Sequence, residues 1–114
     1  MQKILFSVSN IDGEQYVVIK GAVPKSLKLQ FKVLCVQQEL EMSVVLEDLI
    51  EQWLQADAPI HEPPADLYSE ESEDVKGYIP KPLKLQFKTL CTLKQVKIRS
   101  VLYQLLHEWV QSQK

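Results

Sequence analysis

The hexapeptide Leu27-Lys28-Leu29-Gln30-Phe31-Lys32 returns letter for letter as Leu83-Lys84-Leu85-Gln86-Phe87-Lys88, 56 residues further on. Carried outward without gaps, this register lays 20–55 over 76–111 with 17 identities in 36 positions, which makes the chain two copies of one unit. Lys20-Gly21 matches Lys76-Gly77, Pro24-Lys25 matches Pro80-Lys81, Leu34-Cys35 matches Leu90-Cys91, and Trp53 matches Trp109. A unit of about 35 residues buries too little apolar surface to fold alone. The two copies must therefore pack on each other, or on those of a second chain.

Each copy reads as strand, helix, helix. Pro24 opens a helix in which Leu27, Phe31, Leu34 and Cys35 share one face. Leu27, Leu29, Phe31 and Val33 also alternate as a strand would, but Thr89 stands at the Val33 position in the second copy. The alternation weakens there while the helical positions are kept, which favours the helix. After a break near 38–41, a second helix over 42–55 carries Val45, Leu46, Leu49, Ile50 and Trp53 as its apolar stripe. The second copy gives a strand at 75–79 and helices near 81–94 and 98–112. Trp53 and Trp109 are expected as core anchors closing the end of each helical pair. Ahead of the first copy, Ile4, Phe6 and Val8 alternate with polar neighbours and Asp12-Gly13 supplies a turn. This predicts a hairpin of 2–9 against 15–23.

Charge is distributed unevenly. Residues 1–54 carry net −2, residues 55–74 net −7, and residues 75–114 net +7. The second copy is basic, and an acidic, Pro-containing linker (56–73) precedes it. That linker is a plain connection, an acidic strap lying across the basic copy, or a docking segment for a protein partner.

Several classes are set aside. No apolar run approaches the roughly 20 residues of a membrane span, and the N-terminus has no signal-peptide pattern. Cys35 and Cys91 sit at equivalent positions inside apolar runs, as core residues of a chain expected in the reducing cytoplasm would. His61 and His107 lack ligand partners at metal spacing, and there is no Gly-rich phosphate loop or nucleophile motif. Neither an enzyme nor a metal or other cofactor is expected.

The segments Val23-Pro24-x-x-Leu27-x-x-x-Phe31-Lys32-x-Leu34-Cys35 and Ile79-Pro80-x-x-Leu83-x-x-x-Phe87-Lys88-x-Leu90-Cys91 resemble the first half of a known unit. Val45-Leu46-x-x-Leu49-x-x-x-Trp53 and Val101-Leu102-x-x-Leu105-x-x-x-Trp109 resemble its second half. The unit is that of the ribbon-helix-helix repressors, the Arc and MetJ type, and the resemblance covers about 70 residues in a two-in-one arrangement. It implies an α+β fold: two ribbon-helix-helix units in one chain, a short antiparallel β-ribbon (18–23 with 74–79) over a four-helix core, with 2–9 as an extra N-terminal strand. The implied domains are 1–55, the linker 56–73, and 74–114.

In function the resemblance implies a sequence-specific transcriptional regulator, a repressor that inserts the ribbon into the major groove of double-stranded DNA. Strand alternation directs Lys20, Ala22, Lys76 and Tyr78 toward the bases. The starts of the second helices, with Ser43 in one copy and Lys97, Arg99 and Ser100 in the other, are assigned to phosphate. The chain departs from the family at the interhelical break, where Glu39 and Glu41 and then Gln95 and Lys97 replace glycine and small hydroxyl residues. Gly21 and Gly77 replace the apolar residue usual inside the ribbon. Glu41 repels phosphate and Lys97 attracts it, so the second copy is expected to be the DNA-competent half. The chain is expected to form a homodimer or an intramolecular pair. The competing expectation is a protein–protein interaction module that keeps the scaffold without DNA binding.

Overall fold

The computed structural model describes residues 15–65, 67 and 69–114. Its elements are β1 (Tyr16–Pro24), α1 (Lys25–Gln37), α2 (Met42–Gln55), β2 (Ser72–Pro80), α3 (Lys81–Leu93) and α4 (Ile98–Ser112). The architecture is α+β, with one two-stranded antiparallel sheet and four helices among the described residues. The strand expected at 2–9 lies outside the described residues.

β1 and β2 pair within the one chain, and the pairing is centred on Lys20 opposite Lys76. These are the same residue of the two copies, so the ribbon has an approximate twofold axis between them. Matching bonds extend the ladder at both ends: Lys25 N–H to the Glu71 carbonyl and Lys81 N–H to the Gln15 carbonyl, each 2.9 Å. Inward-facing Ile19, Val23, Val75 and Ile79 are buried, and Lys20, Lys76 and Tyr78 are exposed.

In α1, Leu27, Phe31 and Cys35 are buried while Leu29 and Val33 are exposed, so the helical period decides the local structure. Pro24 and Pro80 stand at the N-cap, one residue ahead of the first helical turn. Both breaks close in the same way. Leu40 N–H reaches the Cys35 carbonyl at 2.8 Å and Glu39 N–H the Val36 carbonyl at 3.1 Å; Val96 to Cys91 and Gln95 to Thr92 repeat the pattern at 3.0 and 3.1 Å. This six-to-one, five-to-two closure puts Glu39 and Gln95 in the left-handed region, at φ 57° and 56°. Glycine is the residue that adopts this conformation without a Cβ penalty. The relief of about 1–2 kcal/mol exceeds the extra chain entropy glycine loses on folding, about 0.5–1 kcal/mol. Gln95→Gly and Glu39→Gly are each expected to stabilise the fold by a net of about 0.5–1 kcal/mol, seen as a rise in the thermal midpoint; a fall would contradict this backbone geometry.

The second helix of each copy packs on the strand and first helix of the other: α2 lies on β2 and α3, and α4 on β1 and α1. Each tryptophan follows this exchange. Trp53 meets Phe87 edge-on at 5.3 Å, and Trp109 meets Phe31 at 5.5 Å. The tryptophans thus close helical pairs formed between the copies. The result is a single apolar cluster drawing on both copies. Cys35 and Cys91 lie inside it as free thiols, and burial pushes the Cys91 thiol up to about 11.

The linker is tethered to this core at its start. The Pro59 carbonyl accepts from Trp53 Nε1 (2.8 Å) and Gln104 Nε2 (2.9 Å), and Gln104 Oε1 accepts from His61 N–H (2.9 Å). Gln104 is the one buried polar residue among those described, and both ends of its amide are satisfied by the linker backbone. Lys94 Nζ donates to the carbonyls of Asp57 and Ala58 at the end of α2. Among the described residues, the polar contacts of the linker's acidic end go to the first copy. Glu70 accepts from the Ser26 N–H (3.1 Å) and hydroxyl (2.9 Å), and Glu71 and Glu73 pair with Lys25 and Lys28, all of the first copy. Antiparallel pairing is the cause, since it sets the residues entering β2 beside those leaving β1. There Glu70 caps α1, whose own N-cap, Pro24, makes no side-chain bond.

Candidate functional site

The outer face of the ribbon carries the cross-strand pairs Val18–Tyr78, Lys20–Lys76 and Ala22–Asp74. Tyr78 N–H is directed out of the ladder, donating to Ser43 Oγ at 2.9 Å. The pairs of that parity, Lys20–Lys76 among them, are therefore the closely spaced, non-hydrogen-bonded kind. Like charges directly opposed across a ribbon are destabilising, and here they occupy its centre. An anion lying on this face would remove that repulsion.

Glycine is what brings the helix starts to the ribbon. A Cβ at Gly21 would lie 3.1 Å from Arg99 Cα and 2.9 Å from Leu102 Cδ1. One at Gly77 would lie 3.1 Å from Ser43 Cα and 2.9 Å from Ser43 Oγ. The N-terminus of α4 thus abuts β1 and that of α2 abuts β2, one on each side of the opposed lysines.

These two helix starts differ in charge. At α4, Lys97 is the N-cap without a side-chain cap bond, Arg99 is the second helical residue, and no acid stands in the first turn. Lys97 and Arg99 are exposed, and Ser100 is half-buried with its N–H on the Lys97 carbonyl at 3.0 Å. The helix dipole and both cations favour an anion here. At α2, exposed Glu41 is the N-cap, and the half-buried Ser43 hydroxyl is engaged as an acceptor by the ribbon. Ser43 is thereby a tie between helix and strand, and only its own proton remains to reach an anion.

Lys20, Ala22, Lys76 and Tyr78 thus share one face, with Lys97, Arg99 and Ser100 on one flank and Ser43 on the other. Ala22 is half-buried and its side chain is apolar. Val18 and Tyr16 belong to this face as well and were missed by sequence reasoning; extending the same alternation two and four residues back from Lys20 would have found them. Asp74, on the same face, is the one carboxylate among the three central pairs.

Among the described residues no group of His, Cys, Asp and Glu could hold a metal ion, and no helix is long and apolar enough to cross a membrane. Searches against protein-family models, curated proteins and solved structures find no match to this chain.

Proposed function

We propose that the chain is a tandem ribbon-helix-helix protein, with units 1–55 and 74–114 joined by the linker 56–73, and that it binds double-stranded DNA as a sequence-specific transcriptional regulator. The observation that carries the reading is the opposed Lys20–Lys76 pair at the centre of an exposed ribbon, beside a helix start bearing Lys97 and Arg99. A two-stranded ribbon fits the major groove, where Lys20, Lys76 and the Tyr78 hydroxyl can meet base edges. Lys97, Arg99 and the first N–H groups of α4 then face phosphate. The charge difference between the helix starts makes the contact lopsided: α4 grips the backbone more strongly than α2.

Binding should weaken steeply with salt, and Arg99→Ala should reduce the slope of log affinity against log salt by about one. Lys76→Ala should weaken binding by about 1–3 kcal/mol and relax base preference at the centre of the site. Fluorescence anisotropy with a pool of random duplexes, followed by selection, measures both. Absence of binding at low salt, or a salt slope that Arg99→Ala leaves unchanged, would overturn the proposal.

A second reading is favoured by Asp74 on the ribbon face and Glu41 at the α2 start, both exposed. It takes the same surface as a docking site for a protein partner. On that reading Asp74→Ala and Glu41→Ala would weaken partner binding, whereas on the DNA reading each strengthens DNA binding.

A further inference from the structure

Helix α1 carries a continuous apolar stripe outside the core of the described residues, whereas on α3 only Leu85 and Leu93 are comparably exposed. Along α1, Leu29, Val33 and Val36 are 61, 44 and 71% exposed, and Leu40, just past its end, is 39% exposed. Their spacing of four, three and four residues is that of a helix-pairing seam. The equivalent positions of α3 are Leu85, Thr89, Thr92 and Val96, so the second copy has threonines at the middle of the same stripe. A stripe needed only for the internal twofold packing would be alike in both copies. Beside Leu29 and Val33 the surface dips into a groove of about 370 Å³, lined further by Leu34 and Val110.

We infer that this stripe is a self-association surface, on which α1 of a second copy of the chain packs antiparallel. Charge selects this occupant and this direction. Of the α1 lysines, Lys25 and Lys28 are already paired with Glu71 and Glu73, which leaves Lys32 at mid-helix to meet a partner, while the end of the helix and the following turn carry Glu39 and Glu41. Two such helices packed antiparallel about Val33 and Val36 set each Lys32 near the partner copy's acidic end. Packed parallel, they would set Lys32 near Lys32 and the acidic ends side by side. Lys32, Glu39 and Glu41 are all exposed and make no ion pair with another described residue. The apolar patch is small, so the association belongs to the weak, concentration-dependent class. The stripe does not involve the ribbon, so the inference stands or falls separately from DNA binding.

Sedimentation equilibrium of the full chain, from about micromolar to millimolar concentration, tests it. The expected result is a monomer–dimer equilibrium. Val33→Thr with Val36→Thr, which installs the residues the second copy already has, should raise the dissociation constant by about tenfold or more while circular dichroism is unchanged. Lys32→Glu and Glu39→Lys should each weaken the dimer, and the two together should restore it. A chain that stays monomeric throughout, whether its stripe is covered by another segment or by a different protein, overturns the inference. A dimer indifferent to the threonine pair also overturns it, and failure of the charge exchange to restore association overturns the antiparallel arrangement.

Discussion

Phe87→Ala is expected to cost about 3–5 kcal/mol and to destabilise both copies as one cooperative unit. Phe87 is fully buried on α3, and its ring meets Trp53 of α2 edge-on at 5.3 Å. Truncation removes the apolar area of the ring, leaves a cavity between copies, and strips Trp53 of its aromatic partner. A chain of this size has about 5–15 kcal/mol of total stability, so the loss is a large fraction of it. The informative readout is where the loss appears. In a Trp109→Phe background Trp53 is the sole tryptophan, and it lies in the copy that does not contain Phe87. Urea unfolding followed by Trp53 fluorescence should shift to the same lowered midpoint as the helical signal. Trp53 fluorescence that stays native while the helical signal falls would mean that the copies are energetically separable, against the exchanged packing of α2 and α4.

That exchange is also the part of the fold least legible in the sequence. Periodicity locates the apolar face of each helix, and the helices fall within a residue or so of their expected bounds. It does not say which face meets which, because both copies carry the same stripe and either partner satisfies it. The internal symmetry was more accessible. Lys20 and Lys76 are repeat-equivalent, and an antiparallel ribbon between identical units must pair some residue with its own counterpart or straddle such a pair.

The course of the linker is illegible in the sequence for a different reason. Its composition suggests a loose or charge-steered strap, yet its start is held by Gln104, at the position where the first copy has Asp48. A single polar residue in a helix gives no sequence signal of such a role. Its acidic end is placed by chain direction rather than by net charge. Charge sums leave open a strap over the basic second copy, whereas the ladder bond between Lys25 and Glu71 sets these acids beside α1. At the candidate site, alternation correctly separated Lys20, Lys76 and Tyr78 from the core-facing residues. The Ser43 bond to Tyr78 was invisible because it depends on how closely α2 approaches β2.

That approach underlies the other large effect. Gly77→Val is expected to destabilise the protein by about 2 kcal/mol, although valine is much the better strand residue. Strand propensity favours valine by about 1 kcal/mol at most. Against this, the added Cβ alone would lie 2.9 Å from Ser43 Oγ and Leu46 Cδ1 and 3.1 Å from Ser43 Cα. Leu46 can rotate away, but the Cα of Ser43 moves only if α2 moves. Displacing α2 also strains the 2.9 Å bond between Tyr78 N–H and Ser43 Oγ. Gly21→Val should act in the same way on α4, through Arg99 Cα at 3.1 Å, with one difference that bears on function. The displaced helix there is the one bearing Lys97 and Arg99, so on the DNA reading Gly21→Val lowers affinity in the folded fraction more than Gly77→Val does. Thermal unfolding and anisotropy on the two variants separate the effects. A neutral or stabilising Gly77→Val would mean that the helix starts do not bear on the ribbon, and that the glycines, shared by both copies, need another explanation.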